Sequence, residues 1–68
     1  MKRTLEEYVR DFSEQVYKSG ISLSEIDGFI DVITENVYEN AFNRSPRQVL
    51  NMIKTACKKY YGYDEEER

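Results

Sequence analysis

The stretch SLSEIDGFIDVITENVYENAF, residues 22 to 42, constrains the fold more than any other part of the chain. Ile26, Ile30, Ile33, Val37 and Ala41 recur at i, i+4, i+7, i+11 and i+15, one face of a 3.6-residue period, and Leu23, Phe29 and Phe42 widen that face. A stripe this broad cannot be covered from one side. The pattern therefore predicts a long central helix with a shorter helix packed on each flank. Gly28 is the discordant residue, because an interior glycine costs roughly 0.5 to 1 kcal/mol relative to alanine. The unbroken phase from Ile26 to Ile30 favours one continuous helix. The alternative is a break near Asp27, with Leu23 to Asp27 reduced to a turn and the helix restarting around Phe29.

The flanking helices announce their own ends. Thr4 followed by Glu7 has the spacing of a capping box, and Leu5, Val9, Phe12 and Val16 then share one face with Tyr8 beside them. On the polar face, Glu6 with Arg10 and Glu14 with Lys18 stand at i,i+4 in the favoured order. Gly20 supplies a left-handed stop, with Ile21 placed to meet Val16 as in a Schellman motif. Ser22 and Glu25 repeat the capping-box spacing, flanked by Ile21 and Ile26 as a hydrophobic staple. The third start is the clearest, since Ser45, Pro46 and Gln48 combine a cap, a proline at the first helical position and a capping-box glutamine. Val49 or Leu50, Ile53, Ala56 or Cys57, and Tyr60 then form the predicted buried face, and Gly62 ends the helix.

No stretch alternates as a strand would, and no internal repeat is present. The predicted fold is all-α, a compact antiparallel three-helix bundle with helices over about 5–18, 23–42 and 46–61. It makes one domain over 1–63, followed by an acidic tail, 64–68, that is expected to fray.

A 68-residue chain has a core worth only roughly 3 to 5 kcal/mol of net stability, so a disulfide, a metal or self-association would help it. Cys57 is the single cysteine and there is no histidine, which removes an internal disulfide and a structural zinc site; self-association remains. No apolar run approaches the ~18 to 20 residues of a membrane span, and MKRTLEEYVRDF lacks the apolar core of a signal peptide. A cytoplasmic protein with no membrane partner is the expectation.

Charge is segregated along the chain. Residues 1 to 42 carry four basic and nine acidic groups, residues 43 to 63 carry five basic groups and no acid, and the tail carries four acids and one arginine. The outer face of the third predicted helix presents Arg47, Asn51, Lys54 and Lys58, with Arg44 and Lys59 alongside. Long cations reach phosphates, and asparagine can read an adenine edge from a helix in the major groove. A basic helix packed beside two acidic ones is also what charge complementarity within the bundle produces, and lysines suit a helix C-terminus. The acidic remainder opposes non-specific DNA binding.

Catalysis has little to work with: no histidine, no glycine-rich phosphate loop and no recognisable nucleophile motif. The carboxylate pairs Glu6 with Glu7 and Asp27 with Asp31 lie where solvated carboxylates belong, and Cys57 falls on an apolar stripe as a small hydrophobe. No enzyme activity, cofactor, metal or small-molecule substrate is expected.

Six tyrosines and no tryptophan are the other unusual feature. Tyr17, Tyr38, Tyr61 and Tyr63 lie off the stripes or at the end of the third helix, as does Val32, which with Phe29 and Asn36 makes a second apolar patch. Such residues either cover the bundle rim or anchor a protein interface. The functional expectation is a small non-enzymatic interaction module, a regulator or inhibitor that binds another protein or a second copy of itself through helix faces. The alternative is a DNA- or RNA-binding regulator using the third helix.

Overall fold

The first and last helices start where side chains replace the missing backbone partners. In the computed structural model, which describes residues 3–63, α1 spans Leu5–Ser19. The Thr4 hydroxyl accepts from the Glu7 N–H at 3.1 Å, and the Glu7 carboxylate accepts from the Thr4 N–H at 3.3 Å. The helix stops at Gly20, whose φ of 73° sets the Schellman pair of Gly20 N–H to Tyr17 O and Ile21 N–H to Val16 O. Ser45 and Gln48 make the same reciprocal cap for the last helix, Pro46–Tyr61. At Ser22 only half of the box is built from the side chains, with the Glu25 carboxylate accepting from the Ser22 N–H at 2.9 Å. Of the two predicted surface pairs on α1, Glu14 with Lys18 closes at 3.1 Å and Glu6 with Arg10 does not.

The predicted continuous helix over 23–42 is not what forms. The segment divides into α2, Leu23–Ile26, a 3-10 turn over Asp27–Phe29, and α3, Ile30–Glu39. Gly28 sits inside the 3-10 turn, and Phe29 turns the corner at φ −98° and ψ 14°, in the bridge region. Two contacts hold the break: Asp27 pairs with Lys54 at 2.8 Å, and Phe29 meets Phe12 edge-on at 6.1 Å. The other end also departs from expectation. Ala41, predicted on the buried stripe, is exposed and left-handed at φ 58°, and it closes a second Schellman motif with Ala41 N–H to Tyr38 O and Phe42 N–H to Val37 O. Ending α3 early turns Phe42 back onto Tyr8, with ring centroids 5.4 Å apart.

The organising element is the last helix, α4 (Pro46–Tyr61), and not the 22–42 segment. Val49, Leu50, Ile53, Ala56 and Cys57 are all buried along it, and α1, α2 and α3 each pack against it. The segment from α2 to α3 runs antiparallel to α1, with Phe29 at Phe12 and Phe42 at Tyr8, whereas α1 and α4 are parallel: Cys57 approaches the Ser13 carbonyl, and one turn on Tyr61 stacks on Tyr17. The buried partners from the other helices are Tyr8, Val9 and Val16, then Leu23, Ile26, Ile33 and Val37. Burying such side chains stabilises the bundle by about 1.5 to 3 kcal/mol each before chain entropy is counted. Tyr60, predicted on this face, is 58% exposed; that end of the core is closed by Tyr63, whose hydroxyl donates to the carbonyls of Ile21 and Val16. The acidic tail, 64–68, lies outside the described residues.

Candidate functional site

The basic residues in and just before the last helix do not form one continuous row. Arg44, Arg47 and Asn51 are exposed, but Lys54 is half-buried and tied to Asp27, so its charge is already answered within the bundle. Lys58 is also half-buried and engaged, and Lys59 lies over the neighbouring Tyr60 ring at 5.6 Å. Solvent instead meets a mixed strip of Gln48, Asn51, Met52, Thr55 and Lys59. Intramolecular pairing thus accounts for part of the charge segregation in the sequence.

The predicted interface residues separate into three places. Tyr17 and Tyr61 stack face to face, 4.5 Å apart and 14° from parallel, and together with the anchored Tyr63 they line a shallow recess where α1 and α4 end. Tyr38 is 76% exposed on the outer side of α3. Val32, 46% exposed, belongs to neither group, because it lines a groove between α1 and α3.

That groove follows from how the helices are held. Since α1 and α3 both pack on α4, their mutual contact passes through rings beyond the ends of α3, Phe29 against Phe12 and Phe42 against Tyr8. Between those ring pairs the helices stand apart over a volume of about 720 Å³. Tyr8, Phe12 and Val32 give it an apolar base, and Asp11, Glu14, Gln15, Asn36 and Glu39 line its sides. Arg3 crosses one end: its N–H donates to Asn40 Oδ1 at 3.1 Å, and its guanidinium pairs with Asp11.

Tyr8 is the unusual group. Its side chain is buried, with 6% of the residue exposed, and its hydroxyl has no hydrogen-bond partner among the described residues. Burial raises its pKa above the usual tyrosine value, against a smaller opposing pull from Arg3. A phenol in this state is expensive to keep, since an unsatisfied buried hydroxyl costs about 1 to 3 kcal/mol. Sequence reasoning placed Tyr8 beside the first stripe and gave it no role. The signal it had was the Val32, Phe29 and Asn36 patch, two of whose members, Val32 and Asn36, do line the groove.

Cys57 is fully buried, and desolvation raises its thiol pKa, the opposite of what a nucleophile needs. Among the described residues, no group of three or more potential ligands could hold a metal ion, and no helix is long and apolar enough to cross a membrane. In comparisons with known proteins, the chain matches no family model, no curated sequence and no solved structure.

Proposed function

We propose that this chain is a non-enzymatic protein-binding module, a regulator or inhibitor that receives its partner in the groove between α1 and α3. The observation that carries this reading is the lining of that groove, which includes a half-exposed valine and a buried phenol with no partner among the described residues. Covering the valine with a partner's apolar side chain is favourable, and the buried phenol marks the groove base as imperfectly satisfied within the bundle. Rigid helix walls held by a common core suit recognition without rearrangement.

Nucleic-acid binding through the last helix is the second reading, supported by the acid-free segment 43–63 and by exposed Arg44 and Arg47. It is weakened by Lys54, which already serves Asp27. Photo-crosslinking in the source cells separates the two. A photoreactive residue at position 32 should give a discrete protein adduct, and one at position 51 should give none. A nucleic-acid adduct from position 51, with nothing captured from position 32, would reverse the assignment.

A further inference from the structure

From the charge and geometry of the groove we infer the chemical class of its occupant: a basic amphipathic helix of about two turns, inserted between α1 and α3, whose cation displaces Arg3 from Asp11. This rests on the groove being a protein-binding site, and three observations carry it further.

The first is shape. From Val32 to Asn40 the α3 wall is about 12 Å long at 1.5 Å per residue, which fits two turns of a helix. The backbone groups of α1 and α3 are committed to their own helices, so an extended peptide would find no ladder to join. A helical ligand brings its own hydrogen bonds and needs only side-chain contact.

The second is charge. The groove lining holds three carboxylates, Asp11, Glu14 and Glu39, against the one cation Arg3, and α3 holds no cation. A second copy of the chain presenting the same groove would set acid against acid, whereas a basic partner is attracted to it.

The third is the position of Arg3. The chain already places one of its own cations in the groove mouth, paired with Asp11 and anchored to Asn40 on the far wall. Arg3 therefore occupies the place at Asp11 that an incoming lysine or arginine would take. A cation arriving there takes over the Asp11 carboxylate from Arg3.

The test uses two synthetic helical peptides of about two to three turns, one with leucines at i, i+3, i+4 and i+7 and lysines elsewhere, the other with glutamates in place of the lysines. Binding is followed by amide NMR shifts on the full chain and on variants checked for folding by circular dichroism. The lysine peptide should shift Gln15, Val32 and Asn36; Val32→Lys should weaken it by about tenfold, Arg3→Gln should tighten it severalfold, and Asn51→Glu should change nothing. If the glutamate peptide fills the groove and the lysine peptide does not, the groove stands and the basic occupant is wrong. If neither peptide perturbs the groove at low salt, both readings fall. Shifts scattered over outlying acids such as Glu6 and Glu25, indifferent to Val32→Lys, would also overturn the inference.

Discussion

Ala41 is the one non-glycine residue with positive φ among those described, and it shows how a single side chain can work against its own turn. Its Cβ crowds the backbone in the left-handed region at a cost of roughly 1 to 2 kcal/mol. Ala41→Gly should therefore stabilise the fold by about 1 kcal/mol, read as a higher urea midpoint at constant slope. The buried tyrosines give a paired prediction. Tyr63→Phe removes a hydroxyl that donates to two carbonyls and should cost about 0.5 to 1.5 kcal/mol, while Tyr8→Phe removes one that donates to none among the described residues and should be neutral or stabilising. Equal losses from both would mean that the Tyr8 hydroxyl is satisfied after all. Neither contrast was legible in the sequence, because Tyr8 and Tyr63 differ only in what the fold brings to their oxygens.

At the scale of the elements, starts were easier to read than interruptions. The cap at each helix start is a local pattern of residue types, so Thr4 with Glu7 and Ser45 with Gln48 could be located without knowing what they pack against. The break after Ile26 is held by tertiary contacts, Lys54 on Asp27 and Phe12 on Phe29, that are remote in sequence and not visible from Gly28 itself. The end of α3 was hidden for a different reason: an alanine holds the position that glycine ordinarily marks. Gly28 has a negative φ and nothing within 4 Å of where a Cβ would stand. Gly28→Ala should thus stabilise by about 0.4 to 1 kcal/mol through the unfolded chain. The 3-10 turn should survive it, since Asp27 and Phe29 keep their partners; fusion of α2 and α3 into one helix, seen as continuous amide contacts by NMR, would show that the glycine alone causes the break.

For the whole molecule, the predicted all-α three-helix bundle is correct while its predicted centre is not. Apolar spacing ranks faces by breadth, and the 22–42 face is the broadest, but α4 is buried from two sides because both other layers settle on it. That arrangement also leaves α1 and α3 apart, so the groove could not be read from either helix alone. A global pH dependence follows from the core. Tyr8 and Cys57 are both raised by burial from ordinary values of 10.0 and 9.0, so above about pH 9 the unfolded chain releases protons that the native state retains. Stability should be level below that point and fall as pH rises through the raised values, with Tyr8→Phe removing the later part of the loss in urea midpoints measured from neutral to alkaline pH. The central claim is that the groove is kept for a different protein and is not filled by a second copy. Light scattering across a dilution series, at low and at moderate salt, tests it most directly. The account predicts the monomer mass of 8.1 kDa throughout. A dimer that persists on dilution and is broken by Val32→Lys would contradict it.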